Sequence, residues 1–301
     1  MDPKAADTFD AYSGAVDQRV SGASQAARYG AVGVLVRTLT TLPDDNYPHT
    51  GVVEYAGDAP QIPAAAISTH DANRLSGLVS NGGAHVRLEL SAQWHDAEPS
   101  FNVIAELRGR DLPDQIVDVG GHLDSWDLAP AAHDDGAGAT QSIEALRLIK
   151  AQGTRPRRTV RAVLFMCEEF GGIGADEYAR VAQAQGERHV AAIESDRGGY
   201  APVGFQVEGS ADALAQARGW SRALTVAGAG KVDAGFSGTD VEPLQPLGAV
   251  GFGYVPDSTH YFDLHHSALD QLAAVDPNEL EAGASAMATL AWLAAEHGIT
   301  P

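Results

Sequence analysis

Five stretches of the chain close on carboxylates and histidines: Gly121-His122, His133-Asp134-Asp135-Gly136, Cys167-Glu168-Glu169-Phe170, Glu194-Ser195-Asp196 and His265-His266-Ser267. Imidazole nitrogen and carboxylate oxygen are the donors that zinc-type divalent ions take, at roughly 2.0–2.2 Å. Two such ions about 3.5–4 Å apart can clamp the oxygens of a hydrolytic displacement. Holding such a pair takes two terminal sets of ligands and one bridging carboxylate. His122, Asp196, Glu169 and His266 can supply the terminal sets, and Asp134 the bridge. Glu168 is then left beside a ligand without being needed as one. A carboxylate in that position can take a proton from an attacking water and return it to a leaving amine. Each stretch alone has a plainer reading. A lone histidine after a strand is usually a surface or core side chain, a Glu-Glu pair is solvated charge, and Asp-Asp-Gly is a turn or a helix N-cap. Together, at the ends of strands, they favour a metal site.

The elements that would position them are legible in the hydrophobic pattern. Ile116-Val117-Asp118-Val119 precedes His122, Val160 to Cys167 precedes Glu168, and Val190-Ala191-Ala192-Ile193 precedes Asp196. Short runs rich in Val, Ile and Phe read as buried parallel strands. Between them, Gly138 to Ala151 and Gly174 to Gln185 carry apolar residues at helical spacing. Alternating strands and helices argue a doubly wound, mostly parallel α/β sheet flanked by helices. Ligands in such sheets bind beyond the carboxyl ends of the strands, where the acidic and histidine residues fall. Side chains of neighbouring strand residues point to opposite faces, so Glu168 and Glu169 can share a site only if the strand ends there. Gly171-Gly172 fits such an end. Ser210 to Val226 reads as an amphipathic helix, Ala249 to Tyr254 as a strand, and Leu280 to Ala295 as a long closing helix with Trp292 in the core.

Residues 1–98 differ in character. A helix, a Gly turn and a strand run from Ala26 to Val36, Ile62 to Ile67 reads as a strand, and Ser68 and Asp71 can cap a helix from Ala72 to Leu78. Val86 to Leu90 alternates as a further strand. We expect this part to be scaffold that at most shapes a substrate mouth, with residues 99–301 carrying the chemistry.

The blocks Gly120-Gly121-His122-Leu123-Asp124-Ser125-Trp126-Asp127, Asp134-Asp135-Gly136-Ala137-Gly138, Glu168-Glu169-Phe170-Gly171-Gly172, Glu194-Ser195-Asp196 and Tyr261-Phe262-Asp263-Leu264-His265-His266-Ser267 resemble, in this order and spacing, the co-catalytic di-zinc exopeptidases. Bacterial leucyl aminopeptidases belong to that family, and the chain looks most like its carboxypeptidase Q (plasma glutamate carboxypeptidase) branch. The resemblance spans essentially the whole chain. Arg37, Pro48-His49-Thr50-Gly51 and Ile62-Pro63-Ala64 are similar to that branch's inserted, protease-associated-type domain. The resemblance implies two Zn²⁺ per chain, with His122 and Asp196 on one, Glu169 and His266 on the other, and Asp134 bridging. It makes Glu168 the general base, Asp124 the carboxylate that orients the His122 imidazole, and His265 a donor to a developing oxyanion. The choice of His266 over His265 follows the family's spacing to an Asp, here Asp270. The pattern departs at Asp270-Gln271, where relatives continue Asp-Thr. A cis peptide is implied at Asp134-Asp135. Asp240 resembles a buried family Asp, with a helix N-cap as its plainer reading. Relatives also carry earlier sequence, so the chain reads as starting within the insert.

Composition narrows the partners. A net charge of −20 argues against nucleic acid. No apolar run approaches the roughly 20 residues of a membrane span, and Met1 to Val20 lacks the apolar core of a signal peptide. The chain as it stands therefore reads as cytoplasmic, although relatives are often secreted. The single cysteine, Cys167, cannot form an internal disulfide and reads as a buried structural thiol. A peptide with an accessible amino terminus is the expected substrate, and a homodimer is a possible assembly. Two other classes compete: a single-zinc aminoacyl cyclase like the glutaminyl cyclases, and a binding module that has lost catalysis.

Overall fold

The computed structural model describes residues 1–301 except Pro3, Ala6 and Trp94, and the chain divides into two units. One contains Met1–Pro99, Trp126–Pro130 and Thr259–Asp270, and the other contains Ser100–Ser125, Ala131–Ser258 and Gln271–Pro301. The expected division at 98/99 thus gains two short segments from far along the chain. His265 and His266 fall in the first unit and not in the stretch 99–301 taken as one body.

The first unit opens with short helices α1 (Thr8–Ser13), α2 (Asp17–Val20) and α3 (Gly22–Ala27), then strand β1 (Val34–Arg37) parallel to β2 (Ala64–Ile67), then α4 (Thr69–Ser80). Ala23, Ala27 and Ile62 form its small core. Ser68 caps α4 by accepting the Asp71 N–H at 3.0 Å. Buried Arg19 donates to the Thr50 carbonyl at 3.0 Å and the Tyr12 hydroxyl at 2.7 Å. A Cβ at Gly51 would lie 2.2 Å from the Arg19 guanidinium carbon, so a larger residue there would displace the buried Arg19. Val86–Leu90, expected to be a strand, has no regular secondary structure. Alternation gives a strand its faces but not its partner, and no strand among the described residues pairs with this one.

The second unit is built from β3 (Val103–Leu107), β4 (Leu112–His122), α5 (Gly136–Ala151), β5 (Arg158–Phe165), α6 (Ile173–Gln185), β6 (Arg188–Glu194), β7 (Pro202–Glu208), α7 (Ala211–Gly219), α8 (Ser221–Val226), β8 (Lys231–Ala234) and β9 (Val250–Pro256). After the short α9 (Tyr261–Leu264) of the first unit, the chain ends in α10 (Pro277–His297). The described strands form a seven-stranded sheet in the order β3-β5-β4-β6-β9-β7-β8. β5-β4-β6-β9 and β7-β8 pair parallel, while β3-β5 and β9-β7 are antiparallel. The expected α/β architecture with a mostly parallel sheet is therefore present.

Successive residues of the central strands supply opposite cores. Val160 and Ala162 of β5 face one core with Ala145, Ile149, Met287 and Leu290, and Val163 and Phe165 face another with Tyr178 and Leu244. Both faces are covered, which is why these strands read as unbroken apolar runs. The helix expected over Ser210 to Val226 is broken at Trp220 into α7 and α8, next to Gly219, a poor helix former. Strand β5 ends at Phe165, two residues before the expected Cys167. Cys167 lies outside the strand, half-buried, with a left-handed φ of 68°. Burial, then Asp124 and Glu168, push its thiol pKa up, which disfavours the thiolate a nucleophile needs. No helix among the described residues is long and apolar enough to cross a membrane.

Candidate metal centre

Strand register explains why residues distant in sequence converge. His122, the last residue of β4, stands opposite Phe165 of β5, and Gly120 stands opposite Glu194 of β6. Three parallel strands therefore end along one edge of the second unit, and their next residues carry the ligating types.

His122 is fixed from both sides. Its backbone N–H donates to Asp135 Oδ2 at 3.0 Å, and its Nδ1 lies 3.0 Å from the Asp124 carbonyl oxygen. That contact puts the proton on Nδ1 and turns Nε2 inward. The Asp124 carboxylate, expected to orient the imidazole, is 3.7 Å from Nδ1. It accepts instead from the backbone N–H groups of Glu168 and Glu169, at 3.0 and 3.2 Å. The orienting oxygen is thus the carbonyl of the expected residue, and the carboxylate holds the two glutamates' backbone.

Nε2 of His122 lies 3.4 Å from Asp134 Oδ1 and 3.6 Å from Asp196 Oδ1. One ligand atom from each of these residues falls within 4.8 Å of the others. Ligands on a tetrahedral ion at roughly 2.1 Å stand roughly 3.4 Å apart, so the spacing suits a zinc-type ion. His122 Nε2 and Asp196 Oδ1 are also buried without a hydrogen bond among the described residues. Buried polar atoms are normally paired, and a cation would satisfy both.

Asp135 has the plainer role. It is the N-cap of α5, accepting from Gly138 N–H at 2.9 Å, and so ties the start of α5 to the end of β4. The Asp134–Asp135 peptide is cis. Gly138 admits the close approach of α5 to β6, because a Cβ there would sit 1.8 Å from the Ser195 carbonyl oxygen. An alanine in a helix ordinarily gains up to about 1 kcal/mol over glycine. Here the clash is with backbone, and overpacking costs about 1–3 kcal/mol or more. Gly138→Ala is accordingly expected to lower stability in urea unfolding, and a rise would refute this packing.

Glu168 and Glu169 sit on a turn after β5. Asn102 pins that turn: its side chain accepts from Met166 N–H at 3.0 Å and donates to the Gly174 carbonyl at 2.8 Å. Glu194 Oε2 accepts from Asp240 and Val241 N–H at 2.8 and 2.9 Å. Asp240 is thus no N-cap: its carboxylate is buried with no hydrogen bond among the described residues. The Ser195 hydroxyl donates to buried Gln141 at 2.7 Å. His133 stacks on Tyr200 and accepts the Gly199 N–H at 3.1 Å, a structural histidine. Asn102, Gln141 and Glu194 had no expected role. Only Glu194 carried a signal, as an acid ending a buried strand.

The electrostatics are those of crowded acids. Burial, then Asp196, push Glu168 up to about 8. Burial and Asp196 push Asp240 up to about 7, against the pull of His122. Burial raises Asp135, Asp196 and Glu194 as well. Burial opposes charge on His122, but Asp134 and Asp196 outweigh it and raise its pKa. A divalent ion would relieve this repulsion.

His265 and His266 belong to the first unit. His266 has a left-handed φ of 58°, its Nδ1 lies 3.1 Å from the Thr50 carbonyl oxygen, and its ring stacks on His265 at 3.7 Å. Its Nδ1–H therefore donates to Thr50, which makes Nε2 the nitrogen that could take a cation. His265 is packed among the rings of Tyr12, Tyr261 and Phe262.

A mostly parallel α/β sheet with a carboxylate–imidazole cluster at its strand ends defines a class of proteins that can hold metal at that edge. The chain belongs to Peptidase family M28, whose pattern matches residues 102–291. It is 37% identical over 289 residues to Carboxypeptidase Q of Mus musculus, covering 96% of this chain and 61% of that protein. The chain thus spans about three fifths of the length of the curated relatives it matches. A Peptidase M28 precursor from Shewanella amazonensis SB2B superposes with a TM-score of 0.86 at 32% identity, over 97% of this chain and 66% of that one. BSAP, a zinc aminopeptidase from Bacillus subtilis, shares the fold with a TM-score of 0.62 at 19% identity, over 89% and 65% of the two chains.

Proposed function

We propose that the chain is a zinc-dependent exopeptidase acting on dipeptides or short peptides with an accessible amino terminus. The observation that carries this reading is the convergence of His122, Asp134 and Asp196, with the carboxylate of Glu168 close enough to feel the charges of His122 and Asp196. The names of the M28 relatives support it. In this reading His122 and Asp196 hold one zinc, Glu169 and His266 the other, and Asp134 bridges. Two zinc ions supply Lewis-acid polarisation of the scissile carbonyl and acidify the attacking water. With such ions bound, the Glu168 carboxylate would be favoured in its ionised form.

The residues then have distinct work. Glu168 takes the proton of the attacking water and delivers it to the nitrogen of the leaving amine. The Asp124 carboxylate, on the Glu168 and Glu169 N–H groups, holds the turn that carries them. His265 donates to the oxyanion as it forms. A panel of dipeptides and aminoacyl-arylamides tests the reading: cleavage that depends on zinc supports it. Cyclisation of amino-terminal glutamine without cleavage would place the chain with the aminoacyl cyclases. Zinc binding with no turnover of any member would make it a binding module.

A further inference from the structure

Thr50 holds His266 by both of its backbone groups. Its N–H donates to the His266 carbonyl at 3.0 Å, and its own carbonyl accepts from His266 Nδ1 at 3.1 Å. The same carbonyl takes a second donor. Arg19 Nη1 reaches it at 3.0 Å, while Arg19 Nη2 donates to the Tyr12 hydroxyl at 2.7 Å. The Tyr12 ring in turn stacks on Phe262 at 4.7 Å and meets the His265 ring edge-on at 5.3 Å. Arg19 is 6% exposed, and among the described residues no carboxylate pairs with it. A buried charge without a counter-charge is strongly unfavourable, and an apolar side chain of the same length would fill the space more cheaply. The guanidinium is therefore explained by what it donates to. Its planar fork serves two fixed acceptors at once, which the point charge of a lysine does not.

We propose that Arg19 is a positioning residue for His266: by fixing the Thr50 carbonyl it holds the imidazole in the Nδ1–H tautomer and so presents Nε2 to a cation. This rests on the reading of His266 as a zinc ligand. A ligating histidine gives its other ring N–H to an acceptor, and that acceptor sets the tautomer and the ring's orientation. A backbone carbonyl fills the role here, as the Asp124 carbonyl does for His122. The difference lies in the support. His122 ends a strand of the sheet, whereas Thr50 and His266 both lie outside helices and strands. A carbonyl on such chain needs other contacts to keep it in line. His49, next to Thr50, donates its N–H to the Thr38 hydroxyl at 2.5 Å and sets its ring 3.1 Å from Asp45. Beyond Gly51, Glu54 N–H donates to the carbonyl of Val20, the neighbour of Arg19 on α2, at 2.8 Å. The loop and α2 are thus tied together, and Arg19 is the contact aimed at Thr50.

Long-range proton–nitrogen correlation spectra of the metal-free full chain, recorded where the imidazole is neutral, read the tautomer directly. His266→Ala identifies the His266 signals. The wild type is expected to carry the proton on Nδ1. In Arg19→Met, similar in length and without donors, the signals are expected to move toward a mixture of the two tautomers. In a zinc titration against a competing chelator, Arg19→Met is expected to weaken about tenfold or more the binding step that His266→Ala removes, and to leave the other step unchanged. Arg19→Lys keeps the charge without the fork and is expected to fall between wild type and Arg19→Met. It carries the test if Arg19→Met does not fold. An arginine that only supports the fold would lower the melting temperature and move neither readout. A wild-type His266 with its proton on Nε2 overturns the proposal, and so do a tautomer and a zinc affinity unchanged in both Arg19 variants. Failure of the ligand assignment looks different: His266→Ala would then take up zinc as the wild type does, while the metal-free tautomer still decides whether Arg19 positions the ring.

Discussion

Glu168→Gln is expected to leave zinc content unchanged and to lower dipeptide turnover by about 10²–10⁴-fold, the usual worth of general acid–base catalysis. The amide fills the same space, and the turn that presents it is held through backbone N–H groups and the Asn102 side chain, none of which the substitution touches. What is lost is the ability to accept a proton. The expected signature is a fall in kcat with little change in KM, measured beside metal content on the same sample. Unchanged turnover would remove Glu168 from the mechanism, and loss of zinc together with turnover would make it a ligand.

Chelation should have the second large effect, on stability. Asp134, Asp135, Asp196, Glu168, Glu194 and Asp240 crowd the strand ends of the second unit, and burial raises the pKa values of most of them. A carboxylate whose folded pKa is raised keeps a proton that the unfolded chain has already lost. It therefore adds stability at low pH that disappears as pH rises through the folded value. For the metal-free chain the window opens near pH 4, where unfolded carboxylates ionise at about 3.9–4.3. It closes as Asp240 and Glu168 ionise at about 7 and about 8. Removing zinc is thus expected to lower the melting temperature on the order of 10 °C, and by more at pH 9 than at pH 6. A melting temperature indifferent to chelator at both pH values would refute a resident cation.

Much of the scaffold under the site was legible because its signals are local. Buried strands betray themselves as Val-, Ile- and Phe-rich runs, and the residues after β4, β5 and β6 fall at one edge because the strands are parallel. The N-cap role of Asp135 was readable from Asp-Asp-Gly. Contacts that depend on how loops close were not. Asn102 sits just before β3 with no periodic signature, yet it pins the turn that carries Glu168 and Glu169. Asp124 was marked as the orienting residue of His122, but spacing alone does not distinguish a carbonyl from a carboxylate. Cys167 reads as strand by composition, whereas its left-handed backbone starts the turn. Val86–Leu90 has a strand's pattern, yet no strand among the described residues pairs with it, and no pattern within the segment supplies a partner.

The central claim, two catalytic zinc ions held by this set of residues, meets its most direct test in one titration. Zinc is returned in measured equivalents to the chelated protein while hydrolysis of a dipeptide is followed. The assignment of His122 and Asp196, Glu169 and His266, with Asp134 between them, predicts activity that rises and levels off at two equivalents per chain. Activity that levels off at one equivalent, or that never appears although zinc is taken up, would contradict it.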